Sequence, residues 1–209
     1  TIQEESKMSV KKRIIQILNL WRLLPAYLCV FSTPVAVKEI ILEDIWHWGK
    51  CAKRVEKKQF DLFSGLMLEI KEFRNLLLNR LYRGGLRRYI LRTLFPPMDT
   101  LYINTRNIGH RLYIQHGFAT VISAKSVGDD CWINQQVTIG YTFDSEPVVI
   151  GNGVRVSAGA KVVGNITVGD NAIIASNAAV VKDVPENAVV GGVPARVIGE
   201  NIEHKLFEK

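Results

Sequence analysis

I-G-N-G-V-R-V-S-A-G-A-K-V-V-G-N-I-T-V-G-D-N-A-I-I-A-S-N-A-A-V, residues 150–180, places an aliphatic side chain at every sixth position: Ile150, Val156, Val162, Val168, Ile174 and Val180. A helical stripe returns every 3.6 residues and a plain strand alternates every two, so a strict beat of six needs a unit of its own. Upstream the beat is already running at Ile108 and Ile114, then Val121 after one extra residue, then Val127, Ile133 and Ile139. Glycine follows the aliphatic at Gly109, Gly128, Gly140, Gly151 and Gly169, with Asn or Asp close by. Each unit is expected to be a short strand and a turn. Its aliphatic side chain points into a narrow prism, and its turn needs the positive φ that Gly and Asn accept at low cost. No unit buries its apolar side alone, so the units stack as coils. Tyr141–Val149 is the one sizeable interruption, a loop thrown out of a regular coil.

Before Pro96-Pro97 the period is helical. Ile14, Ile15, Ile17, Leu18, Trp21 and Leu24 form one stripe. Thr33-Pro34 reads as an N-cap and first-turn proline opening a second helix, with Val37, Ile40, Ile41, Ile45 and Trp48 as its stripe and Gly49 as its stop. Asp61 to Arg83 reads as one long helix with Leu66, Ile70, Phe73, Leu77 and Leu81 inward, ended by Gly84-Gly85. Leu86–Phe95 is a short last helix. The expected organisation is a helical domain at 1–97, a coil domain at 98–200 and a tail at 201–209.

The net charge of +7 is unevenly spread. Residues 1–100 carry 18 Lys and Arg against 10 Asp and Glu, and the rest carry 9 against 10. The excess base makes solvated helix faces, or attracts an anionic partner such as a membrane surface. The longest stretch without a charge, Leu23 to Val37, contains Pro25 and Pro34 and is shorter than the ~20 apolar residues of a spanning helix. Cys29, Cys51 and Cys131 are odd in number and not spaced for a metal. With no export signal, the expectation is a reduced cytoplasmic chain, with the inner face of the membrane as its alternative position.

L-Y-I-Q-H-G (112–117), I-N-Q-Q-V-T-I-G (133–140), S-A-G-A-K-V-V-G-N-I-T-V-G-D-N (157–171) and G-G-V-P-A-R-V-I-G (191–199) resemble serine acetyltransferases. They equally resemble the capsule and exopolysaccharide O-acetyltransferases similar to them. The resemblance covers about residues 101–199. It implies a left-handed parallel β-helix of hexapeptide repeats after an all-α domain, assembled as a homotrimer or a dimer of trimers. It also implies acetyl-CoA as co-substrate in a groove between subunits, with no metal and no nucleic acid. The general base carried over is His116. Imidazole titrates near ~6.5 in water, which suits it to take a hydroxyl proton at neutral pH. His110 lies at a turn and matches no family base.

On the cofactor side, Ser157, Ala158, Gly159, Ala160, Ala175, Ser176 and Asn177 are small enough for a pantetheine arm to approach the backbone. Lys182, Arg196 and Lys161 are candidates for the CoA phosphates. On the acceptor side the candidates are Tyr102, Asn104, Gln115, Asn134, Tyr141, Asp144 and Glu146. Here the chain departs from serine acetyltransferases. Their D-I-H-P segment becomes Tyr102-Ile103-Asn104-Thr105, the Asp before the His becomes Gln115, and their R-H-P segment becomes Asp144-Ser145-Glu146-Pro147. A backbone carbonyl, or a carboxylate from a neighbour's 141–149 loop, is then expected to orient His116. The cationic grip on a serine carboxylate is missing, so the expected acceptor is a hydroxyl of a carbohydrate or polysaccharide precursor. L-Serine, in cysteine biosynthesis, is the alternative. A metal-dependent lyase on this fold would need three His ligands, and the coils carry only His110 and His116.

Overall fold

Helices α1 (Val10–Leu18), α2 (Leu20–Phe31), α3 (Val35–Cys51), α4 (Gln59–Glu69), α5 (Lys71–Arg80) and α6 (Leu86–Leu94) come first in the computed structural model. It describes residues 10–54, 56, 58–142 and 146–201. After Met98 the chain divides into a second unit built only of short strands.

The helical unit buries Ile45, Trp48, Leu62, Phe63, Leu66, Phe73 and Phe95. Four details differ from the sequence expectation, each for a packing reason. Thr33 does not cap α3; its hydroxyl donates back to Val30 O at 2.7 Å, and Pro34 occupies the cap position. Gly49 does not stop α3, which runs on to Cys51. A Cβ at Gly49 would stand 2.8 Å from Leu62 Cδ1, so the glycine is there to let α4 approach. The expected long helix is two, broken at Ile70. Arg74 Nε and Nη2 donate to the Met67 and Leu68 carbonyls at 2.7 and 3.0 Å, which satisfies acceptors that a continuing helix would have used. The Ile14–Leu24 stripe is split between α1 and α2, which bend by 77°, and most of it faces solvent.

Asp44 on α3 accepts from Arg80 on α5 at 2.9 and 3.3 Å, with both side chains buried. Breaking such a pair strands a charge in a low dielectric. Asp44→Ala is therefore expected to lower unfolding free energy by about 3–5 kcal/mol. Asp130→Asn, which removes the charge from the exposed Arg111–Asp130 pair and keeps a residue that tolerates φ 55°, is expected to cost under about 1 kcal/mol. Urea titrations of the two variants check the contrast, and equal losses would contradict it.

The strand unit is a left-handed parallel β-helix of about five turns. One face stacks β1 (Leu101–Ile103), β3 (Thr120–Ile122), β6 (Thr138–Gly140), β9 (Lys161–Val163) and β12 (Ala179–Val180). A second stacks β4 (Ser126–Val127), β7 (Val149–Ile150) and β10 (Thr167–Val168). The third stacks β2 (Tyr113–Ile114), β5 (Trp132–Ile133), β8 (Arg155–Val156), β11 (Ile173–Ile174) and β13 (Ala188–Gly192), with β14 (Ala195–Glu200) antiparallel to β13 at the end. Ile114, Ile133, Val156, Ile174 and Val190 form one inward column and are 3% exposed or less. The turns demand close approach: a Cβ on Gly128 would stand 2.6 Å from the Gly151 carbonyl.

One beat is corrected. The inward residue of β3 is Ile122, fully buried and paired with Ile139, while Val121 pairs with Thr138 and is only half-buried. The chain takes six residues from Ile114 to Val121 (115–120), against four between Ile133 and Thr138, between Val156 and Lys161, and between Ile174 and Ala179. Those two extra residues lie at the corner that carries His116.

Candidate active site

The edge between the third and first faces gathers most of the residues singled out by sequence. The residue after each paired strand end is Gln115, Asn134, Ser157 and Ala175 in successive turns, and its N–H donates to the next turn at 2.8–3.0 Å. The residue after that is His116, Gln135, Ala158 and Ser176. Parallel strands stack about 4.8 Å apart, so the edge runs about 14 Å from the His116 rung to the Ser176 rung. Polar side chains line its upper end and small ones its lower end.

His116 stands on the enlarged corner with φ 54°, exposed, and Ala119 follows with φ 51°. Neither is Gly or Asn, so this corner holds a backbone conformation that costs on the order of 1 kcal/mol per residue. Among the described residues no backbone carbonyl or other hydrogen-bond partner faces the His116 imidazole. Gln115 is fixed differently. Its Oε1 accepts from Trp132 Nε1 at 3.2 Å and from Asn134 Nδ2 at 3.1 Å, which turns its Nε2 outward as a donor. Gln135, directly below His116 in the column, escaped the sequence reading. Its Oε1 is buried without a partner among the described residues. The signal was the doubled Gln135-Gln136 at a corner where the turns below carry small residues.

At the lower end, Ser157 to Ala160 and Ala175 to Asn177 present no large side chain. A Cβ at Gly159 (φ 76°) would collide with Asn177 Oδ1. Lys161 Nζ donates to the Gln136 carbonyl, tying one turn to the next. Lys182 and Arg196 line one hollow of about 250 Å³ at the last turn, together with Val180, Asp183 and Val190.

The other acceptor candidates are elsewhere. Tyr102 is exposed on the first face. Asn104 follows β1 and donates to Ser123 Oγ at 2.9 Å. Tyr141 and Glu146 are exposed on the loop between β6 and β7. All of these except Tyr102 lie on the edge between the first and second faces, across a face three residues wide, about 10 Å. Asp144 lies outside the described residues. His110 is on the remaining edge, where its N–H donates to Asp129 Oδ1 at 2.7 Å as the top of a ladder through Asn152 and Asp170. Cys131 faces the prism interior, where burial pushes its thiol up to about 12.

Residues 147–182 match the family described as bacterial transferase hexapeptide (six repeats). A serine acetyltransferase of Staphylococcus xylosus is 32% identical over 147 residues, covering 63% of this chain and 67% of that protein. The chain belongs to the serine acetyltransferase-like hexapeptide acyltransferases. A serine acetyltransferase of Synechococcus elongatus is 42% identical over 95 residues, covering 44% of this chain and 39% of its own length. With three such relatives the match spans 39–45% of their length. Among solved structures, a serine O-acetyltransferase from Brucella melitensis shares 27% identity and a TM-score of 0.64, covering 93% of this chain and 86% of that one. A Brucella abortus serine acetyltransferase solved in complex with coenzyme A shares 26% identity, a TM-score of 0.61 and 93% and 84% coverage. Family members thus share both units of this chain, helical and coiled.

Proposed function

We propose that this protein is an acetyl-CoA-dependent O-acetyltransferase whose acceptor is L-serine. The observation that carries the reaction type is the single edge that runs from an exposed imidazole, His116, to a strip of small residues at Ala175–Asn177. The strip suits a pantetheine arm lying against backbone, and the hollow shared by Lys182 and Arg196 suits the nucleotide phosphates. The relatives named above favour serine over the carbohydrate expected from the sequence.

In this reading His116 accepts the acceptor's hydroxyl proton as the oxygen attacks the thioester carbonyl carbon. A C–O bond forms, backbone N–H donors hold the tetrahedral oxyanion, and the C–S bond then breaks. The imidazolium returns its proton to the departing CoA thiolate. Gln115 and Asn134 stand on one edge of the prism and Asn104, Tyr141 and Glu146 on another, so in this reading a complete site joins His116 of one chain to the Asn104–Tyr141 edge of a neighbour. A homotrimer, singly or paired as a dimer of trimers, satisfies this.

A carbohydrate hydroxyl is a second reading, favoured by Gln115. Its amide presents a donor where an ammonium group needs an acceptor, and a donor fits the oxygens of a sugar. Release of CoA from acetyl-CoA distinguishes the two, measured with L-serine and then with sugars, nucleotide sugars and oligosaccharides. Serine turnover with kcat/KM of ~10⁴ M⁻¹s⁻¹ or more is expected. Turnover of a saccharide with serine silent would transfer the assignment to the second reading. No acceptor-dependent release from any of them would overturn both.

A further inference from the structure

The first helix is inside out, and the second is apolar on both of its sides. α1 buries Gln16, which donates to Asp61 Oδ1 at 2.8 Å, and turns Val10, Ile14, Ile17 and Leu18 to solvent, each more than half exposed. α2 buries Leu23, Ala26 and Val30 and exposes Trp21, Leu24 and Leu28 on its opposite side, Trp21 at 70% and Leu28 at 66%. Single exposed apolar residues are ordinary; two consecutive helices that each present several large apolar side chains to solvent are not. α6, which packs beside α2, adds an exposed Tyr89 with Arg88 and Arg92.

The charge on these same helices names the occupant. α1, α2 and α6 carry three, one and three basic residues and not one acidic residue. Arg22 is engaged over the Phe95 ring, and Lys12 and Arg13 pair with Glu56 and Asp61, but Lys11, Arg87, Arg88 and Arg92 reach solvent. A second copy of the chain meeting this face by two-fold symmetry would set cation against cation. An anionic bilayer complements both features at once: acyl chains take the Trp and Leu side chains, and headgroups take the Lys and Arg. The 77° bend between α1 and α2 fits helices that lie on a surface, and among the described residues no single helix is long and apolar enough to cross one.

We infer that the apolar, basic face of α1, α2 and α6 docks on an anionic lipid surface. The inference is independent of the acceptor. The test is flotation of the full chain with vesicles of mixed phosphatidylglycerol and phosphatidylcholine, against phosphatidylcholine alone. Binding is expected to the mixed vesicles only, and to weaken as salt is raised. Reversing charge at two exposed positions, Arg88→Glu with Arg92→Glu, is expected to lower the bound fraction's partition coefficient at least about tenfold, since each basic residue near the surface contributes about fivefold. Leu24→Ser with Leu28→Ser is expected to lower it comparably, with circular dichroism and assembly size unchanged. Absence of flotation, or flotation indifferent to both pairs, would overturn the inference. So would a smaller assembly in the leucine pair by light scattering, which would make the face a contact between copies.

Discussion

Replacing His116 by asparagine is expected to lower kcat by roughly 10²–10⁴-fold, the usual contribution of a general base. Asparagine is the informative choice. His116 sits at φ 54°, and asparagine tolerates the left-handed region better than other non-glycine residues. The corner therefore keeps its shape while losing the only atom able to take a proton. His116→Ala is expected to be as slow, and unlike the asparagine variant it keeps the backbone strain of the parent corner. KM for acetyl-CoA is expected to stay within a few-fold, because the small-residue strip lies two to three rungs down the edge. His110→Ala is the control: it lies on another edge and joins its ladder through a main-chain N–H, so kcat is expected to stay near that of the parent. Steady-state kinetics on the three variants separate these outcomes. An active His116→Asn enzyme would remove the imidazole from the reaction.

The coil was legible because its inward side chains are aliphatic and its spacing is fixed by geometry. The misplaced beat at Val121 shows the limit. Two residues added at the His116 corner are partly absorbed by a shorter next turn, with Val127 only five residues after Ile122. The pattern resumes, and only the pairing of Ile122 with Ile139 reveals where the enlargement lies. The helices were legible as helices but not in their ends. Gly49 reads as a stop until Leu62 is seen against it, and the break at Ile70 depends on Arg74, four residues downstream. The stripe on α1 was legible, but periodicity says only that one side is apolar. It does not say whether that side faces in, and here Gln16 does.

The site was legible in part for the same reason. The fixed spacing of the turns places Gln115, Asn134, Ser157 and Ala175 in one column; Gln115 was singled out by the resemblance to serine acetyltransferases, and Ser157 and Ala175 by their small size. Gln135 was missed because a glutamine at a turn reads as polar filler; only its buried, unpartnered oxygen marks it. The division of the acceptor candidates over two edges was not legible, because it depends on which corner of the prism each turn occupies.

That division carries the central claim, that a working site joins the His116 edge of one chain to the opposite edge of its neighbour. The direct measurement is subunit complementation. One chain carries His116→Asn; the other carries Asn104→Trp with Tyr141→Glu, two exposed positions on the second edge. Each variant alone is expected to be inactive. Co-expressed with different tags and purified as mixed assemblies, one interface in three of a mixed homotrimer, or roughly one in four of a mixed dimer of trimers, pairs an intact His116 edge with an intact partner edge. About a quarter to a third of the parent rate of CoA release is therefore expected. A mixed assembly as inactive as its two parents would place the whole site within one chain, and full activity of the second variant alone would remove its edge from the site.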